Sequence, residues 1–377
     1  MKHGKALMCH TTRCKSPLWS GMRFGVMVLA ALMAGITSRS IAAESESHAQ
    51  KNTSPEYRYH YVSLDEATPP GFDFLDPFKL TNRGFVFANA YACPSSCSIS
   101  IAVYRRGTTT ILQDGIGYTA NERGTVGGSV LIDPDNFIEQ AALFTRGGVE
   151  RIPRLPGEYS SHVMRLTDSG IALVESVDST TFESTFYLYK RGHVIPLDLG
   201  SGQVSFLDVN DHGLIAGTVS APGLNDRAFR FDPSSGTMTL LNPLPTEPDS
   251  WGQGINRDGD VLGYSFVSGG LERIGVWRHG SFQTYFVEGT PQFPTVSNRL
   301  LWNDKGLIVI TRSRSDLNSY LVPRPGVRLR LADLADRVPV WTAIVDVNSH
   351  GDLIGYGGPD FGSVGETFLL QRLGGRR

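Results

Sequence analysis

The chain has 377 residues, of which 42 are Gly, 21 are Pro and 19% are charged, with 35 Lys and Arg against 37 Asp and Glu. Residues 1–43 hold six of the basic residues and no acid, so the remainder carries 29 basic against 37 acidic residues, a formal net charge of −8. That sign opposes nonspecific nucleic-acid binding, which depends on neutralising phosphates.

The amino terminus reads as an export signal. Residues 1–23 carry Lys2, Lys5, Arg13, Lys15 and Arg23, Phe24 to Ile36 is apolar apart from glycine, and Ser40, Ala42 and Ala43 supply small residues beyond it. We expect residues 1–43 to be a cleaved signal peptide, with Met22 as an alternative start, and residues 44–56 to be a flexible linker. The apolar run of about 13 residues is well short of the roughly 20 that a membrane-spanning helix needs, so no stable membrane anchor is expected. The compartment implied is the periplasm or the extracellular space, and there the Cys93-Pro-Ser-Ser-Cys97 pair reads as a short disulfide stapling a loop. Two thiols make a poor zinc site, since structural zinc takes four ligands.

Tyr57 to Leu64 alternates and reads as a strand with no neighbour in sequence. From Leu80 onward one phrase recurs seven times: an apolar residue, Asn or Thr, two mostly polar residues, Gly, then β-formers. Its glycines are Gly84, Gly124, Gly170, Gly213, Gly259, Gly306 and Gly351, spaced by 40, 46, 43, 46, 47 and 45 residues, the period of a supersecondary unit. In the fourth repeat Val204 to Val209 is a strand, Asn210-Asp211-His212-Gly213 the turn, and Leu214 to Val219 the return. Ala228 to Phe231 and Thr237 to Leu241 complete four strands. Asn bonds its own main chain and Gly supplies positive φ, so the phrase closes a tight hairpin. Gly128, Gly217, Gly263 and Gly355, four residues further on, are placed for close backbone approach.

These units predict an all-β fold, a seven-bladed β-propeller of four-stranded blades over 57–372, with 373–377 as a tail. The seventh repeat ends at Thr367 to Leu370 without a fourth strand, so the N-terminal strand is expected to complete the last blade and close the ring.

"Val-Asn-Asp-His-Gly-Leu-Ile-Ala-Gly-Thr" with "Ala-Phe-Arg-Phe", and "Ile-Asn-Arg-Asp-Gly-Asp-Val-Leu-Gly-Tyr-Ser" with "Gly-Val-Trp-Arg-His-Gly", resemble the extracellular HAF-repeat family. The match is best in repeats four, five and seven. Arg227 stands where the family has His, and repeats one, three and six lack the second Gly. The resemblance implies an exported propeller-like protein, and it brings no catalytic residues.

No metalloprotease, nucleophile-elbow or phosphate-loop motif is present. Asp208-x-Asn210-x-His212 and Asp346-x-Asn348-x-His350 echo a calcium loop, but the ninth positions are Ala216 and Ile354, so no metal or cofactor is expected. His193, His212, His279 and His350 fall in hairpin turns, with Arg106, Arg146, Arg191, Arg278 and Arg324 on the tips of the same face. The opposite face carries the variable connections, where binding residues usually sit. Candidates there are Tyr159, His162, Trp251, Phe293 and Trp341, with Tyr91 beside the cysteines. Aromatic residues near a channel mouth suit a carbohydrate or protein ligand. We expect a monomeric, noncatalytic binding module. The alternative is a lyase or hydrolase acting on polysaccharide or peptide, with Asp249, Asp333 or Asp336 near the channel.

Overall fold

The computed structural model describes residues 57–93, 98–134, 136, 138–221, 223, 225–266, 271–288, 299–311, 318–359 and 365–374. Among them, seven four-stranded antiparallel sheets follow one another in chain order. The first strand of each sheet lies against the first strands of its neighbours, so these strands are innermost and the sheets are the blades of a ring. The fold is a seven-bladed β-propeller. Blade 4 shows the plan, with strands Gln203–Val209, Ile215–Ser220, Arg227–Asp232 and Thr237–Leu240 running outward from the channel.

The repeated phrase makes the first hairpin of every blade. In blade 4 Asn210 N bonds Leu214 O at 3.0 Å, Gly213 N bonds Asn210 O at 2.9 Å, and Gly213 has φ 84°. The other six turns repeat this pair of bonds, with φ between 73° and 86° at the glycine, a region open to Gly at no steric cost.

Six innermost strands also carry a bulge at matching places, as between Gly117 and Thr119 or Gly252 and Gly254. The second glycine answers to it. A Cβ on Gly128 would stand 1.9 Å from Ile116 O, one on Gly263 1.8 Å from Trp251 O, and one on Gly355 2.3 Å from Ala343 O. The close approach is thus within a blade, between its second strand and the bulged first strand.

The core is divided into layers between blades. Leu173 and Leu188 of blade 3 meet Leu207 and Phe229 of blade 4, and Leu262 and Val276 of blade 5 meet Ile308 and Val322 of blade 6. Each blade buries both faces, which explains the apolar content of strands such as Val86–Ala92.

The ring closes at three radii. Outermost, Arg58–Ser63 pairs antiparallel with Glu366–Leu373, from Arg58↔Leu373 to Ser63↔Phe368. At the hairpins Asn348 Nδ2 donates to Thr81 O at 3.2 Å and Ser349 N to Asn82 Oδ1 at 2.7 Å. At the channel Asp346 Oδ2 accepts from Leu80 N at 2.8 Å and lies 3.0 Å from Lys79 Nζ.

This closure relocates two of the acids expected near the channel. Asp336 accepts a bond from Tyr61 N at 3.3 Å and lies 3.5 Å from His60 Nδ1, so it belongs to the outer rim of blade 7. Asp333 ends the short turn Leu331–Asp333, which follows the outermost strand of blade 6. The connection they occupy runs along the closing strand before it reaches the channel.

Candidate functional site

Innermost strands run from the loop face to the hairpin face, so their late residues line the channel at the hairpin end. There a cavity of about 290 Å³ is lined by Lys79, Arg165, Asp208, Arg299 and Asp346, among others. Asp208 repeats the role of Asp346: one oxygen lies 3.2 Å from Arg165 Nε of blade 3, and the other accepts from Ile255 N of blade 5 at 2.9 Å. Burial works against the charge on Lys79, but Asp346, Glu122 and Asp168 outweigh it and hold the amine above its ordinary range. Enclosure lowers the Arg299 guanidinium to about 10, with Arg165 acting in the same sense against Asp346 and Asp208. Arg299 therefore stays charged at neutral pH and is open to channel solvent.

At the mouth itself four of the five asparagines of the phrase join the blades, while Asn256 donates to Asp260 within its own turn. Asn210 Oδ1 accepts from His212 N and Leu214 N of its own turn, while Nδ2 donates to Asn256 O of blade 5 at 2.9 Å. Asn121, Asn303 and Asn348 reach the next blade in the same way. Thr81 and Thr167 keep the in-turn bond through Oγ1 but have no amide to send across. At those two junctions the next blade reaches back, Glu122 to Asn82 N and Asp211 to Ser169 N, both at 2.8 Å. Glu122, Asp168, Asp208, Asp211 and Asp346 at this mouth are committed to holding blades together. Sequence reading finds the turn and misses the cross-blade half of the asparagine's work, because that partner lies one whole repeat away.

A second cluster lies between blades 2 and 3, and it begins at Tyr118 on the wall of the same cavity. Tyr118 of blade 2 donates to Glu139 at 3.0 Å, and its ring lies 4.9 Å from that of His162 in blade 3. His162 Nε2 lies 3.5 Å from Glu175 Oε2, its cross-strand neighbour, and Glu175 accepts from Ser184 Oγ at 2.5 Å. Burial and the adjacent Glu139 hold the Tyr118 hydroxyl far above its ordinary range, so it stays protonated. In blade 1 burial raises half-buried Asp76 to about 6.

The other expected site residues do not converge on this cluster. Tyr159 meets Phe182 edge to face at 5.9 Å within blade 3. Trp251 packs on Phe266 and Tyr264 of its own blade and Phe206 of blade 4, and its Nε1 donates to Asp226 at 2.9 Å. Trp341 packs on Tyr356 of blade 7. Tyr91 is 4% exposed and stacks on Phe74, a packing role. Asp249 accepts from Asp226 N at 3.2 Å and orders that loop. Phe293 and Cys97 lie outside the described residues, so the Cys93–Cys97 pairing does too. Among the described residues no group of three or more His, Cys, Asp or Glu side chains is placed to hold a metal, and no helix is long and apolar enough to cross a membrane.

Phe182 escaped the sequence reading. It is 68% exposed with φ 57°, and its turn is fastened by Asp178, which accepts from Thr180 N at 2.7 Å and Thr181 N at 2.8 Å. Those bonds pull the Asp178 carboxyl below its ordinary range. Exposed Phe74, Ile132, Leu271 and Val340 stand at the loop-face ends of their blades as well. The signal for Phe182 is a lone aromatic in a run of Ser, Thr and Glu.

No known family profile and no curated protein matches the chain. Solved structures do resemble it. A puromycin-hydrolyzing peptidase of Mycobacterium tuberculosis has a TM-score of 0.53 at 12% identity, over 84% of this chain and 54% of that one. An acylaminoacyl peptidase of Pyrococcus horikoshii has 0.50 at 12% identity, over 83% and 54%. An oligogalacturonate lyase in complex with manganese has 0.49 at 12% identity, over 84% and 97%. The chain spans about half the length of the two peptidases, and at such identities the likeness concerns the fold alone.

Proposed function

We propose that this is an exported, noncatalytic propeller whose loop face contacts a protein or carbohydrate ligand. The observation that carries the reading is the division between faces. Phe74, Ile132, Phe182, Leu271 and Val340 are exposed at the loop face, whereas the hairpin tips carry Arg106, Arg146, Arg191, His279 and Arg324. Apolar side chains left exposed where the variable connections lie make that face the candidate contact surface. A ring held on a left-handed backbone by a capping carboxylate is also pre-ordered, which lowers the entropy lost on binding. The signal-like N terminus and the HAF-repeat resemblance support export to the periplasm or beyond, and the acidic balance supports a ligand other than nucleic acid.

A glycan and peptide array tests this, run with protein lacking residues 1–43 beside its Phe182→Ser variant. The reading expects a bound class of probe whose signal drops with the variant. It fails if nothing binds, or if the variant binds as well as the parent.

One observation favours catalysis instead: His162 beside Glu175 is the pairing a general acid–base step needs. Under this reading the protein cleaves a polysaccharide or peptide at this pair. Turnover of such polymers that disappears in His162→Ala would establish it, and its absence across both polymer classes would remove it.

A further inference from the structure

A second recess lies on the hairpin face, between blades 1 and 2, with a volume of about 1020 Å³. Blades radiate from the channel, so the wedge between two of them widens outward unless side chains fill it. Here the blade 2 wall presents Gly124 and Gly147, which have none to offer. Arg83, Arg105, Arg123 and Arg146 line the recess, all exposed and, among the described residues, none in an ion pair. The one acid lining it, Glu122, accepts two bonds from Asn82 N. Four unpaired guanidinium groups in one groove are a local inversion of charge, since residues 44–377 carry a formal net charge of −8.

We propose that this groove docks an acidic peptide segment in extended form. Guanidinium forks match carboxylates bidentately, so the charge and its geometry both select an acidic ligand. The choice of peptide over sugar rests on two features. The aromatic surface on which a sugar ring would stack is Phe85, and the Arg105 guanidinium already covers it, 4.6 Å above the ring centre. The strand Thr108–Asp114, outermost in blade 1, contributes Thr108, Thr110 and Ile111 to the groove and leaves one edge of main-chain N–H and C=O groups unpaired within its sheet. An extended peptide can bond that edge while its carboxylates meet the arginines.

The test is fluorescence anisotropy of the whole protein with a labelled peptide of alternating Glu and Val, beside the same peptide with Gln for Glu. The Glu peptide should bind, weaken as salt is raised, and bind about tenfold less well to Arg105→Glu/Arg146→Glu. Arg191→Glu/Arg324→Glu, on distant tips of the same face, and Phe182→Ser, on the loop face, should bind like the parent, which separates this site from the ligand proposed above. The proposal is overturned if the Gln peptide binds equally well, if the groove variant is unaffected, or if Phe182→Ser abolishes binding. Displacement of the peptide by polyuronate or duplex DNA at lower concentration than unlabelled peptide also overturns it, in favour of that polymer.

Discussion

Asn210 is 5% exposed and performs two tasks, one inside its turn and one across to blade 5. Removing both should cost more than removing one. Asn210→Thr keeps the in-turn acceptor, as Thr167 does in blade 3, and loses only the cross-blade donor. We expect Asn210→Ala to lower unfolding stability by about 2 kcal/mol and Asn210→Thr by about 1 kcal/mol in denaturant titrations, following the cost of unmade buried hydrogen bonds. Equal losses would show that the in-turn bond contributes nothing, and a Thr variant as stable as the parent would show the same of the cross-blade bond. Asp76 supplies a pH dependence of its own. Burial raises its carboxyl to about 6, whereas the unfolded chain releases that proton near ~4. Between those values the folded state binds more protons, so stability falls as pH rises through the window, and the penalty is complete above about pH 6. Asp76→Asn should therefore exceed the parent in stability by about 1–2 kcal/mol at neutral pH, allowing for partial solvation, and match it below about pH 4. A parent whose stability is flat across the window would contradict this account.

At the scale of strands, the bulge and the second glycine form one device. Gly263 faces the bulged strand Asp249–Ile255, and a methyl group there meets the Trp251 carbonyl, which belongs to a backbone that cannot step aside. Gly263→Ala should cost about 3 kcal/mol or more, in the range of core overpacking, whereas Gly306→Ala, with open space around it and φ 82°, should cost only about 1 kcal/mol of backbone strain. Thermal unfolding of the two variants makes the comparison. The closing strand Arg58–Ser63 is a second device: Tyr59 fills the layer between blades 6 and 7, and Leu64 just beyond the strand fills the layer between blades 7 and 1, each 1% exposed. Deleting residues 57–64 exposes the long edge of Glu366–Leu373 and unfills both layers, so the variant should fail to show the parent's cooperative thermal transition. An unchanged transition would mean that the inner contacts alone close the ring.

For the molecule as a whole, the sequence determined the repeat, its period, the four-strand blade, the hairpin chemistry and the strand that closes the ring. All of these rest on interactions within about one repeat, or on a count that leaves one strand unpaired, and the chain spells them out locally. The face assignment was legible too, since alternating hairpins must fall on one side once a blade has four strands. The site was not. Tyr159, His162, Trp251 and Trp341 stand out in the sequence as aromatic or titratable residues of the variable connections, and the fold distributes them over blades 3, 5 and 7 into separate contacts. Which groups meet depends on the rotation between neighbouring blades. Glu139 and His162 on either side of Tyr118, and the four arginines shared by blades 1 and 2, are therefore set by packing between repeats. Only the tertiary structure could also show that Asp208 and Asp346 are spent on the main chain and cations of adjacent blades, because a carboxylate's availability depends on what surrounds it.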